Sequence, residues 1–200
     1  MKKTKTRPTR AEQKDRTRED IRRAALDLFE TRGFEGTTID DIAAAASVGR
    51  RTFFRYFLCK EAVLFDEAVF PHLTAELDKL LTSGTPPARA IFLAMERNPH
   101  ESREPDETTI RRRRLRVAFL NEPSVSDFYR HQIGLMAQRV TEVVRKHPEH
   151  AAVPFLPELV GGLIHTMTLE HLESGETRPF SLDAGPWREA VRALERSFDA

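Results

Sequence analysis

Two short helical patterns joined by three residues constrain the fold of this chain more than any other feature of its sequence. Thr38 is followed three residues later by Asp41, a capping-box pattern, and an Ala-rich apolar stripe comes next. Ser47-Val48-Gly49 interrupts this helix, and a further helix is predicted over 50–57. A longer helical pattern, from about residue 17 to Gly33, precedes the pair. This order of elements is typical of a helix-turn-helix motif.

The second helix of the motif, "RRTFFRYF" at 50–57, separates its rings from its arginines. Phe53 and Phe57 are four residues apart, so they share one face and are predicted to anchor the helix. Arg51 and Arg55 share the opposite face, and guanidinium groups can bind guanine edges or phosphate oxygens. The side chains predicted to contact DNA are Thr38, Arg50, Arg51, Thr52, Phe54, Arg55, Tyr56 and Lys60.

The stretch from residue 17 to residue 65 resembles the DNA-binding domain of TetR-type transcriptional repressors. Several positions depart from the family pattern. Ser47 replaces the usual turn glycine, Gly49 replaces a common Ser or Thr, Leu58-Cys59 replaces the usual Pro-Ser, and Arg51 replaces a residue that is often small. We therefore interpret Arg51 as a candidate specificity determinant. The matching residues are Leu28-Phe29, Arg32-Gly33-Phe34, Thr37-Thr38, Ile42-Ala43, Thr52 to Phe57 and Lys60-Glu61.

The sequence pattern also predicts helices in the rest of the chain. No stretch shows period-2 alternation between hairpin turns, so the predicted fold class is all-α, with about nine helices. The predicted domains are a basic flexible tail (1–16), a helix-turn-helix DNA-binding domain (17–62) and an effector-binding and dimerisation domain (63–200). The helices predicted after the motif are 60–81, kinked or divided at Pro71, then 87–97, 106–121, 125–146, 155–174 and 186–198.

The resemblance implies three partners. The first is double-stranded DNA with a palindromic operator. The second is another copy of the chain, joined through helices 155–174 and 186–198, where Gly161 and Gly162 would allow close approach. The third is a small-molecule effector, held among the middle helices, that releases a repressor from DNA. A constitutive or architectural DNA-binding protein with no effector remains the alternative. The predicted effector lining is Phe92, Met95, Arg111, Arg114, Phe119, Phe128, Met136 and His165.

The run "RRRRLR" at 111–116 is the most conspicuous cluster of charge in the chain. On a helical wheel Arg111 and Arg114 fall inside a wide apolar arc, and a buried arginine needs an anionic partner. Glu170 or Glu173 would make that partner structural, whereas an anionic effector would make it functional. A solvated helix face is the third interpretation of this run, and all three stay open at the level of sequence.

Charge and composition favour some function classes over others. Residues 1–65 hold 15 Lys and Arg against 10 Asp and Glu, whereas the whole chain has a net charge of only +1. A basic front end suggests a polyanion partner for that part. The single cysteine, Cys59, and the lack of a signal peptide or long apolar run lead us to expect a cytoplasmic protein away from membranes. No catalytic constellation, cofactor motif or metal-ligand spacing is visible, so we expect neither an enzyme nor a metal or cofactor site.

Overall fold

The computed structural model describes residues 9–65, 69–97 and 106–173, and every regular element in these ranges is a helix. The all-α prediction is thus confirmed for this part of the chain. The predicted helix at 186–198 lies outside the described residues. The elements are α1 (Arg10–Arg32), α2 (Ile39–Ala45), α3 (Arg50–Tyr56), a 3-10 turn (Glu61–Leu64), α4 (Val69–Thr82), α5 (Pro87–Glu96), α6 (Glu107–Ala118), α7 (Pro123–Arg145), α8 (Pro148–Ala151) and α9 (Leu156–Glu173).

Helix α1 begins seven residues before its predicted start. A capping box at its first turn explains the difference: the N–H of Glu12 donates to the Thr9 hydroxyl at 3.2 Å, and the N–H of Thr9 donates to the Glu12 carboxylate at 2.7 Å. This reciprocal pair satisfies backbone donors that a helix start leaves open. Residues 10–16 are therefore helical, although the sequence analysis expected a flexible tail over 1–16.

The predicted helix 60–81 is divided in the structure. A 3-10 turn covers Glu61–Leu64, and α4 starts afresh at Val69. Pro71 lies in the first turn of α4, where a missing N–H costs no intrahelical hydrogen bond. Helix α8 was not predicted; it is a single turn that begins at Pro148, in a segment interpreted as a break.

Buried side chains form two hydrophobic clusters, which we call the aromatic and the aliphatic cluster. The aromatic cluster joins α1, α2, α3 and the 3-10 turn to Leu115 of α6 and to Val125, Tyr129 and Ile133 in the first part of α7. The aliphatic cluster joins α4, α5, the second part of α7 and α9. Packing therefore continues across the predicted domain boundary at residue 62. The largest fully buried rings of the aromatic cluster are Phe29, Phe34, Phe53 and Phe57.

Helices α7 and α9 pack closely, and a glycine makes this possible. A Cβ atom at Gly161 would overlap Thr141 Oγ1 and would lie 2.9 Å from the carbonyl oxygen of Ala137. Gly162, by contrast, is exposed and faces open space. Gly161 was expected to serve contact between two copies of the chain, but in this structure it serves packing within one.

Candidate DNA-binding site

Helix α3 is anchored by its rings and presents its arginines, as its sequence predicts. The side chains of Phe53 and Phe57 are 0% and 1% exposed, whereas Arg51 and Arg55 are exposed. Helix α1 adds to the anchor, because the guanidinium carbon of Arg18 lies 5.1 Å from the centroid of the Phe57 ring. One face of α3 is thus fixed to the protein and the opposite face is open to a ligand.

The turn between α2 and α3 sets the angle of this helix. The N–H of Val48 donates to the carbonyl of Ala43 at 2.9 Å, which closes the turn. Ser47 adopts a φ of 54°, in the left-handed region where glycine is favoured. For a residue with a Cβ atom this conformation costs roughly 1–2 kcal/mol of conformational free energy. The backbone at Ser47, where the family usually has glycine, is therefore locally strained.

The three arginines of α3 differ in their contacts. Arg51 has no hydrogen-bond or ion-pair partner among the described residues, so its donors are available. Arg50 pairs with Asp40 at 2.7 Å, and both side chains are more than half exposed. Such surface pairs contribute about 0–1 kcal/mol, so a phosphate can replace Asp40. The Arg55 guanidinium stacks on the neighbouring Tyr56 ring, with its carbon 5.0 Å from the ring centroid.

The other predicted contacts on α2 and α3 are partly occupied. The Thr38 hydroxyl donates to the Asp41 carboxylate at 2.5 Å, so it can donate to phosphate only if it leaves Asp41. This bond and one from the Thr38 N–H hold the pKa of Asp41 below its ordinary value. Thr52 is half-buried and the predicted contact Tyr56 is buried, whereas the Phe54 ring is 45% exposed.

Lys60 was predicted to contact phosphate, and the structure shows it in another role. Its ammonium group donates to the carbonyls of Phe34 and Thr37, at 2.8 and 3.2 Å. It also lies 4.1 Å from the centroid of the Phe34 ring. Two of its three donors are therefore committed to the loop between α1 and α2. Lys60 fixes the loop that leads into the motif, a contact that sequence spacing alone does not reveal.

Arg111 and Arg114, predicted to line an effector pocket, lie against α1 instead. Arg111 donates to Glu30 and Asp27, and Arg114 donates to Glu30. The wheel assignment was wrong: it is Arg112 and Arg113 that are buried, with 5% and 4% exposure. The reason is that α6 packs on α1, which presents carboxylates to one side of α6. Neither of the partners suggested by sequence, Glu170 or Glu173, has a described side chain.

The remaining predicted pocket residues do not share one wall. Phe119 and Phe128 pack on the aromatic cluster. Phe92 and Met136 are buried in the aliphatic cluster, with Met95 packed against it. His165 is half-buried on α9. These positions therefore belong to two separate packing regions rather than to one cavity lining.

Three further properties concern other classes of site. In ranges 9–65, 69–97 and 106–173, no group of three or more His, Cys, Asp or Glu side chains is placed to hold a metal ion. None of the helices in those same ranges combines the length and the apolar character that crossing a membrane requires. Burial raises the pKa of the Cys59 thiol to about 11, so the group is uncharged near neutral pH.

Residues 21–66 match the model of the bacterial regulatory proteins of the tetR family. This part of the chain is a domain of the tetR family. The predicted resemblance is confirmed, and the matched residues include the whole of α2, α3 and the 3-10 turn. The exposed arginines of α3 therefore lie in the second helix of a tetR-family helix-turn-helix.

Curated relatives of the tetR domain are transcriptional regulators. The chain is 52% identical over 48 residues to the regulator TcmR of Streptomyces glaucescens, which is 24% of this chain and 21% of TcmR. It is 36% identical over 70 residues to the repressor NicS of Pseudomonas putida, 35% of this chain and 32% of NicS. A putative mycofactocin biosynthesis regulator, MftR of Mycobacterium tuberculosis, is 28% identical over 142 residues, 68% of each chain. The matches to TcmR and NicS thus span less than two thirds of those proteins.

Two solved structures are similar to the chain over a longer range. A putative TetR-family regulator from Mesorhizobium loti is 18% identical, with a TM-score of 0.47, over 94% of this chain and 96% of the other. The TetR-family repressor FadR of Thermus thermophilus, in complex with lauroyl-CoA, is 28% identical, with a TM-score of 0.44, over 79% and 80%.

Proposed function

We propose that this protein is a DNA-binding transcriptional regulator that reads an operator through α3. One observation carries the proposal: Arg51 and Arg55 stand on the exposed face of a helix whose opposite face is buried through Phe53 and Phe57. Because this helix belongs to a tetR-family domain, its free face is the one that enters the major groove. The available donors of Arg51 suit a guanine edge, and Arg50 suits a phosphate.

The regulator acts as a homodimer in this proposal, with α9 in the interface. On α9, Leu159, Gly162 and Thr166 are exposed at helical spacing, and Leu159 is 64% exposed. An exposed face with one large apolar side chain beside two small residues allows the close approach of a second copy of the same helix. Two reading helices related by a two-fold axis read a palindromic operator. The second predicted dimer helix, 186–198, lies outside the described residues.

A small-molecule effector releases the regulator from its operator in this proposal. Support for repression comes from the curated relatives, among which NicS is named a repressor. Further support comes from the aliphatic cluster, which contains Met136 and Met167. Methionine side chains adapt to irregular shapes and tolerate local repacking, so this region can accommodate a ligand more easily than a ring-filled core.

The test begins with selection of operators from a random duplex library by the purified protein. The selected duplex is then titrated against Arg51→Ala and Arg55→Ala. Each variant should lose about 1–3 kcal/mol of binding free energy, because a bidentate base contact has that worth. Arg130→Ala is the matched control, since Arg130 is an exposed arginine on α7, remote in sequence from the motif.

The outcomes are distinct. Wild-type selection of a palindrome, with loss only in the α3 variants, supports operator reading. If no sequence is enriched, or if all three variants bind like wild type, the function is refuted. Titration of the bound complex with small-molecule libraries then separates a regulated repressor from a constitutive DNA-binding protein.

A further inference from the structure

The contact between α6 and the DNA-binding domain is held at one end by an ion-pair cluster. Arg111 binds Glu30 through two nitrogens, Nε to Oε1 at 3.2 Å and Nη2 to Oε2 at 2.7 Å. Its Nη2 atom also donates to Asp27 at 2.6 Å, and Arg114 donates to the Oε1 atom of Glu30 at 2.5 Å. We call these four residues the clamp. A forked contact of this kind fixes direction as well as distance.

The clamp is partly protected from water at its centre. The side chains of Arg111 and Glu30 are 21% and 28% exposed, while Asp27 and Arg114 are more than half exposed and complete the outer edge. The hydrogen bond from Arg111 is the largest cause that holds the pKa of Glu30 below its ordinary value. Glu30 is therefore charged, and paired, at neutral pH.

The same contact is held at its other end by rings. Phe119, the residue that ends α6, packs on Phe29 and Phe34 with ring centroids 6.1 and 5.6 Å apart. Arg111 and Phe119 are eight residues apart, which is about 12 Å along a helix. Two attachment points at this separation fix the angle between α6 and α1. Leu115 lies between them and is buried in the aromatic cluster, so loss of the clamp shifts this angle without detaching α6.

We propose that Glu30 and Arg111 are positioning residues for operator reading. Their ion pair sets the angle at which α6 holds the helix-turn-helix domain with α1, α2 and α3, which we call the reading head. This inference rests on the proposed function, in which two heads bind one palindrome. In such a dimer a change in the angle of each head changes the distance between the two α3 helices. The clamp therefore determines which half-site spacings the protein accepts. Neither residue contacts DNA in this role.

The experiment measures spacing preference rather than affinity alone. The selected operator is compared with versions in which its half-sites are moved apart or together by one and two base pairs. Wild type should bind the selected spacing best. Arg111→Met keeps the length of the side chain but removes the fork and the charge. It should reduce the ratio of Kd values between altered and selected spacings at least tenfold. Arg111→Lys keeps the charge but lacks the forked contact. Its ratio of Kd values should lie between those of wild type and Arg111→Met.

A matched control exists elsewhere in the chain. Arg145 and Glu158 form an equally close ion pair that joins α7 to α9, away from the DNA-binding domain. Arg145→Met should leave the spacing ratios unchanged. Glu30→Gln provides a second variant from the other side of the clamp, and it should reproduce the relaxed spacing of Arg111→Met.

The results separate positioning from general stability. A variant that is weakened equally at every spacing has only a structural defect, and this result in either Arg111→Met or Glu30→Gln would overturn the proposal. So would unchanged spacing ratios in folded variants, as judged by circular dichroism. If Arg111→Met does not fold, Glu30→Gln decides by the same ratios. Failure of wild type to select any operator refutes the proposed function instead, before the clamp is tested.

Discussion

The aromatic and aliphatic clusters of this protein are packed from different side chains. In the aromatic cluster rings meet rings at centroid distances such as 4.7 Å for Phe65 and Tyr129, and 5.8 Å for Phe53 and Phe57. Apart from Phe92 and the partly buried Phe70, the aliphatic cluster is described by Leu, Ile, Val, Ala and Met side chains. Ring pairs have preferred geometries, whereas unbranched and branched aliphatic chains repack more easily.

This difference matches the two tasks that we assign to the chain. The aromatic cluster holds α3 and its arginines in one orientation, which base reading requires. The aliphatic cluster lies where the proposed effector acts, and it can change shape at lower cost. Helix α7 contributes to both, with Ile133 in the first cluster and Met136 in the second. The single helix α7 therefore connects the two clusters.

The largest expected effect is the loss of an anchoring ring. Phe53→Ala should lower the free energy of unfolding by about 3–5 kcal/mol, because the ring is fully buried and leaves a cavity. Phe54→Ala is the control, since this neighbouring ring is half-exposed and should change stability by about 0.5 kcal/mol or less. Urea titration followed by circular dichroism measures both. Equal losses in the two variants would contradict the anchoring of α3 by one face.

A smaller effect is expected at the close approach of α7 and α9. Gly161→Ala should destabilise the protein by about 1–3 kcal/mol, because the added methyl group overlaps Thr141. The adjacent Gly162→Ala points into open space and should stabilise by up to about 1 kcal/mol through helix propensity. Thermal unfolding of both variants gives the comparison. If Gly161→Ala is as stable as Gly162→Ala, the aliphatic region is looser than the structure shows.

The smallest effect concerns the strained turn of the reading motif. Ser47→Gly should raise the free energy of unfolding by about 0.5–1 kcal/mol, since glycine tolerates a φ of 54° but loses more entropy on folding. Ala46→Gly is the matched control, because Ala46 has an ordinary φ of −80° and gains nothing from glycine. Chemical denaturation at one temperature measures the free energy of unfolding of both variants. A loss of stability in Ser47→Gly would show that the turn is not strained.

Local patterns determined much of the reading motif. The capping box of Thr38 and Asp41, the short helices around Ser47 and the anchoring rings Phe53 and Phe57 all follow from residues within a few positions of one another. The early start of α1 also depends on a local feature, the capping box of Thr9 and Glu12, which the sequence analysis did not identify. Such features depend on hydrogen bonds and side-chain periodicity inside one element.

Only the tertiary structure decided the partners of the charged side chains. Periodicity assigns a residue to a face of a helix, but it does not say which other helix covers that face. Arg111 binds Glu30, 81 residues earlier in the chain, and Lys60 binds the carbonyl of Phe34, 26 residues earlier. Gly161 likewise owes its role to Thr141 on another helix. These contacts depend on how whole helices pack against one another. That packing is determined by the joint burial of side chains from several helices in both clusters, and no single segment encodes it.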